Sequence, residues 1–126
     1  MAEYLYSRDH QWALREGDRL RVGISDFAQK ELGEIAFVEL PPLGKNVKQG
    51  DPVCSIDSLK STSEIYAPVS GTVVEVNRAL ESEQGATAIN KDPLGEGWIF
   101  ILQMADPSQL GALMDPDSYT AFTAQG

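Results

Sequence analysis

Leu20, Val22 and Ile24 alternate with Arg19, Arg21 and Gly23, the two-residue period of a strand with one buried face. The turn signal Gly17-Asp18 precedes this run, and Tyr4 to Leu14 reads as an edge strand or extended arm before it. Ser25 follows as an N-cap, Asp26 and Lys30 complement the dipole in the first and last turns, and Gly33 marks a stop, so a short helix is predicted over 26–32. Glu34 to Leu40 is apolar on both faces, Ile35 and Phe37 on one and Ala36, Val38 and Leu40 on the other. That pattern predicts a central strand, ended by Pro41-Pro42. After a loop pinned by Val47, the runs Val53–Ile56 and Ile65–Ala67 lie between the breakers Gly50-Asp51-Pro52 and Pro68-Val69-Ser70-Gly71 and predict a hairpin at about 53–67. Thr72 to Val76 is a further alternating strand. Arg78 to Gln84 could hold a helical turn, Gly85 to Gly97 reads as loop, and Trp98 to Met104 as a strand. Asp106-Pro107 and Asp115-Pro116 each set an acidic cap before a proline at the first helical position, predicting C-terminal helices over about 107–113 and 116–122. The expected class is mainly β, a flattened barrel or sandwich of antiparallel strands with Lys60 exposed at a hairpin tip.

A length of 126 residues suits one domain over 1–126. With 19 acidic against 10 basic residues the net charge is −9, which argues against nucleic acid and anionic membranes as partners and favours basic protein surfaces. The longest apolar run, Trp98 to Leu102, is strand-sized and far short of a membrane span. The opening residues show neither a secretory h-region nor an Arg-rich transit segment, so a cytoplasmic address is expected. Cys54 is the single cysteine; it reads as a buried thiol in a reducing compartment. His10 is the single histidine, so neither a two-histidine metal site nor a histidine-based triad can be assembled, and a local hydrogen bond near Trp12 is its expected role. Gly95-x-Gly97 precedes a strand and is too short for a dinucleotide fingerprint. No catalytic set and no metal site are predicted.

What remains is Lys60, in Asp57-Ser58-Leu59-Lys60-Ser61-Thr62-Ser63-Glu64. A turn lysine is ordinarily a solvated residue, yet it is also a good attachment point, since acylation removes its charge and lengthens its arm. This stretch, with Ala67-Pro68-Val69-Ser70-Gly71 and Val73-Val74-Glu75-Val76-Asn77, resembles the lipoyl-lysine hairpin of glycine cleavage system H proteins. The resemblance runs on through Asp9-His10-Gln11-Trp12, Val22-Gly23-Ile24, Gln29-Lys30-Glu31-Leu32-Gly33, Phe37-Val38-Glu39-Leu40-Pro41, Asn90-Lys91-Asp92-Pro93 and Gly95-Glu96-Gly97-Trp98, in order along nearly the whole chain.

The resemblance implies a biotinyl/lipoyl-domain-like barrel-sandwich hybrid of two antiparallel sheets, with lipoate amide-linked to Lys60. It implies a non-catalytic, monomeric carrier whose partners are glycine decarboxylase, aminomethyltransferase, dihydrolipoamide dehydrogenase and a lipoate ligase or octanoyl/lipoyl transferase. Asp57, Glu64, Gly71 and Gly44 match the family's residues for recognition by the lipoylating enzyme, and Gln11 with His10 matches a cleft for the loaded arm. Two departures stand out. Asp57 replaces the usual Glu, and Gln11 replaces a carboxylate that holds the charged arm, giving up the charge-assisted part of that interaction. They keep open an H-like lipoyl carrier not dedicated to glycine, serving sulfur-compound oxidation or lipoyl relay. A biotinyl carrier fits poorly, because that family flanks its lysine with methionines and the neighbours here are Leu59 and Ser61. An interaction domain with an unmodified Lys60 ranks behind it.

Overall fold

The computed structural model describes residues 4–124. Among these residues nine strands form two antiparallel sheets that are not closed into a barrel. β1 (Tyr4–Tyr6), β2 (Gln11–Glu16), β3 (Arg19–Ile24), β9 (Phe100–Met104), β8 (Gly71–Val76) and β5 (Asn46–Val47) make the larger sheet in that spatial order. β4 (Ile35–Glu39), β6 (Pro52–Ser58) and β7 (Thr62–Tyr66) make the smaller. The extended arm is thus two paired strands, Tyr4 opposite Leu14 and Tyr6 opposite Trp12.

Leu20, Val22, Phe100 and Leu102 of the larger sheet join Val38, Ile56 and Ile65 of the smaller in one buried cluster that includes Cys54. Each such side chain contributes about 1.5–3 kcal/mol on burial, so the alternation in β3 and β6 decides which faces meet. Burial raises the Cys54 thiol to about 12, the nearby Lys45 charge opposing this and Glu39 and Glu64 adding to it.

Helix α1 (Asp26–Leu32) has the predicted bounds. The Ser25 hydroxyl accepts from the Ala28 N–H, and Gly33, at φ 79° and ψ −154°, ends it. Asp26 pairs with Lys30 at 2.9 Å, and the hydrogen bond from Lys30, then that from Gln29, holds the Asp26 carboxyl below its ordinary range.

The strand at 35–39 departs from expectation. It lies at an edge of the smaller sheet, and the register shifts between Ile35 and Phe37. The shift makes Ala36 the extra residue of a bulge, which breaks the alternation. Ile35 and Val38 therefore both point inward, while Phe37 is 51% exposed.

The stretch read as loop over 85–97 holds a second turn of helix: α2 (Glu83–Ala86) is followed by α3 (Ala88–Lys91), with Ile89 fully buried. β9 starts at Phe100, two residues later than expected, because the Trp98 carbonyl is taken by the Asn77 side chain at 2.8 Å. Of the two C-terminal helices, Pro107–Ala112 is a 3-10 helix that buries none of its residues. α4 (Pro116–Ala124) is α-helical and packs on β1 through Tyr119, whose ring stacks on Tyr6 at 4.3 Å.

Candidate functional site

The hairpin tip is closed by one serine. Ser58 N–H donates to the Ser61 carbonyl at 2.8 Å, and the Ser58 hydroxyl accepts from the Ser61 N–H at 3.0 Å and the Lys60 N–H at 3.3 Å. A short polar side chain that turns back on the backbone favours a tight turn over continued strand. Leu59 and Lys60 occupy the turn's corners, both exposed, and among the described residues no side chain pairs with the Lys60 ammonium.

The tip is also tied down. Leu59 N–H donates to the Glu34 carbonyl at 3.0 Å, just past the end of α1. Asn90 of α3 holds that junction from beneath. Its carbonyl oxygen accepts from Ile35 N–H at 2.9 Å, and its amide donates to the Gly33 carbonyl at 2.8 Å and the Gln29 side chain at 3.0 Å. The Lys60 stem runs over Gly33: a Cβ there would sit 3.4 Å from Lys60 Cε. Residue 33 thus ends the helix with a positive φ and leaves its outer side bare for the lysine. Neither Asn90 nor Gly33 was singled out in the sequence for this task. Asn90 lies in a short helix hidden among glycines and prolines, and its signal is the Asn90-Lys91-Asp92-Pro93 run itself.

Asp57 and Glu64 lie on the two strands leading to the tip. Asp57 accepts from the Thr62 hydroxyl at 2.8 Å across the hairpin, and Glu64 is exposed opposite Ser55. Gly71 and Gly44 are elsewhere, on the β5–β8 side of the larger sheet. A Cβ on Gly71 would lie 2.3 Å from the Gln103 carbonyl oxygen, so close strand approach explains its lack of a side chain. Gly44, at φ 85°, donates its N–H to the Val73 carbonyl at 2.8 Å.

Gln11 and His10 sit at the hairpin's base and beside α4. Gln11 is 1% exposed. Its amide nitrogen donates to the Tyr66 carbonyl, and its carbonyl accepts from the Tyr66 N–H at 2.7 Å. Both ends of the side chain are therefore spent on the last residue of β7. His10 has φ 63°, and its Nδ1 is 2.8 Å from the Tyr119 hydroxyl, itself 2.7 Å from the Ser25 hydroxyl. The local bond near Trp12 expected for His10 is not formed: the ring bonds instead across 109 positions to Tyr119 of α4, because Phe27 and Phe122 pack against it and turn it toward that helix.

The model of the glycine cleavage H-protein family matches residues 4–126. The chain belongs to that family. It is similar to the glycine cleavage system H protein of Bradyrhizobium diazoefficiens, with 44% identity over 124 residues, 98% of this chain and all of that one. The H protein of Thermus thermophilus is 48% identical over 114 residues, 90% of this chain and 88% of its own. Among solved structures, the H protein of Mycobacterium marinum superposes with a TM-score of 0.86 at 33% identity, covering 97% of each chain. Family membership carries the role of lipoyl-bearing carrier component in glycine cleavage. The site fits such a group: an exposed, unpaired lysine on a braced turn is suited to amide attachment.

Proposed function

We propose that this chain is the lipoyl-bearing shuttle of a glycine cleavage system, with lipoate amide-linked to Lys60. It carries an aminomethyl group from glycine decarboxylase to aminomethyltransferase and presents the dithiol to dihydrolipoamide dehydrogenase. One observation carries the reading. Lys60 stands exposed at the corner of a turn locked by Ser58 and braced by Gly33, Glu34 and Asn90, in a chain of this family.

The bond-forming step itself uses no group of the carrier beyond the lysine. The unprotonated Nζ attacks the carbonyl of an activated acyl group, an acyl-adenylate or a carrier thioester. The C–N bond forms, the bond to AMP or to the thiol breaks, and the lost amine proton passes to solvent. When attached, the lipoyl group supplies the thiol–disulfide chemistry. The residues of this chain hold the tether's root still, so the arm samples a bounded volume at high effective concentration in a docked enzyme's site.

Gln11 supports a second reading, a carrier of the same build serving sulfur-compound oxidation or lipoyl relay. With both ends of its amide on Tyr66 and no charge, it offers a cationic arm nothing. One experiment separates the two. Lipoylated protein is mixed with glycine decarboxylase and labelled glycine, and carbon dioxide release is followed beside the Lys60→Arg variant. Release with the wild type alone supports the glycine shuttle. Equal inactivity of both moves the assignment to the second carrier.

A further inference from the structure

The outer face of the three-stranded sheet is built unlike the rest of the surface. Residues directly opposite on neighbouring strands share a face. Phe37, Asp57 and Thr62 therefore form one outward row, and Glu39, Ser55 and Glu64 the next, while Val38, Ile56 and Ile65 point to the core. Among the described residues the exposed large hydrophobics are Phe37, Leu43 and Leu59. Two of these flank Lys60: Leu59 adjoins it, and Phe37 lies opposite Asp57, three residues before it.

The carboxylates on this face carry hydrogen bonds from neighbouring hydroxyls, Thr62 to Asp57 at 2.8 Å and Ser55 to Glu39 at 3.3 Å, but no ion pair. The four ion pairs among the described residues use Glu16, Asp26, Glu75 and Glu81. Glu39, Asp57 and Glu64 have no cation within pairing distance. Lys45 shares a shallow hollow with Glu39 and Glu64, but its ammonium is turned to the Val53 carbonyl at 3.4 Å. A half-exposed aromatic beside a hairpin, surrounded by carboxylates that no cation neutralises, matches a partner with an apolar recess rimmed by Lys and Arg. The aromatic supplies affinity, and the surrounding charge supplies steering and register.

The chemistry at Lys60 selects which partner. A lysine stem is four carbons long, so an enzyme that closes the amide must lie directly against the strands carrying it. An enzyme that uses the finished arm works at the end of a longer tether.

We propose that the outer face of β4, β6 and β7, with Phe37 as its apolar anchor and Glu39, Asp57 and Glu64 around it, is the docking surface for the enzyme that acylates Lys60. The proposal rests on the reading of Lys60 as the lipoyl lysine and extends recognition beyond the hairpin to Phe37 and Glu39 of β4.

The test is steady-state acylation of the purified unmodified protein by lipoate ligase with lipoate and ATP, read by intact mass. Phe37→Ser is expected to lower kcat/KM by about tenfold or more, chiefly through KM, while Phe37→Tyr stays within about twofold of wild type. A Glu39→Gln/Glu64→Gln double variant should flatten the salt dependence of kcat/KM, a readout independent of how Phe37→Ser folds. Wild-type kinetics for Phe37→Ser together with an unchanged salt slope for the double variant would overturn the proposal. So would a wild-type dimer in light scattering that Phe37→Ser dissociates, since that assigns the face to a second copy. Absence of acylation on wild-type Lys60 is a distinct result, which removes the carrier reading itself.

Discussion

The side chain of Gln11 grips both backbone groups of Tyr66, accepting from its N–H at 2.7 Å and donating to its carbonyl. One amide thereby imitates a rung of β-ladder between the larger sheet and the end of the lysine hairpin. The imitation depends on having a donor and an acceptor on one flat group, which a carboxylate lacks.

Gln11→Glu should therefore destabilise the fold at neutral pH by about 2–4 kcal/mol, since the carboxylate would be buried against the Tyr66 carbonyl. The sign with pH follows. Burial and the facing carbonyl raise the folded-state pKa of the new acid above its unfolded value. The lost stability is thus regained below about pH 4, where the group is protonated in both states, and lost again as pH rises through the folded pKa. Urea unfolding of both proteins at acid and neutral pH checks this. A variant as stable as wild type at neutral pH would show that position 11 is not a clamp.

Gly33→Ala should cost about 1–3 kcal/mol, because φ 79° with ψ −154° is a backbone region closed to side-chain-bearing residues. The added methyl would also meet the Lys60 stem at 3.4 Å. A lowered unfolding midpoint with slower acylation of Lys60 is the expected pair of results. An unchanged midpoint would contradict the strain.

Much of this was legible in the chain, and the misses share a cause. α1 was readable to the residue because Ser25, Asp26, Lys30 and Gly33 are local signals that act within one turn. The lysine hairpin was readable because breakers stand on both sides of it. The outward turn of Phe37 was not, since it follows from a bulge at Ala36 set by pairing with Ser58 and Asp57, which stand far along the chain. The spacing of Ile35 and Val38, both buried three positions apart, is its only trace in the sequence. The tasks of Asn90 and Gln11 were hidden similarly: each satisfies the backbone of an element distant in sequence, which no periodicity records.

Tyr119→Phe deletes the hydroxyl that joins Ser25 and His10. Because Tyr119 is buried, a loss of about 1–2 kcal/mol is expected. The loss should be local, with faster amide exchange over 116–124 and acylation of Lys60 at the wild-type rate. Exchange unchanged in α4 would show that the hydroxyl does not hold it.

Cys54 should resist iodoacetamide at about pH 8 in the native protein and react once the chain is unfolded, because the thiolate is the reactive form and burial lifts the thiol to about 12. The linkage has a definite sign. This folded pKa is above the unfolded one, so the stability of the neutral buried thiol is complete below about pH 8.5 and falls as pH rises toward 12. Rapid native labelling would contradict the burial.

The most direct measurement is where lipoate goes. The protein and its Lys60→Arg variant are incubated with lipoate ligase, lipoate and ATP, digested, and mapped by peptide mass. The expected result is one modified peptide, carrying lipoate on Lys60, and none in the variant, whose guanidinium does not form the amide. Lipoate on Lys45, Lys48 or Lys91, or modification that survives Lys60→Arg, would contradict the assignment.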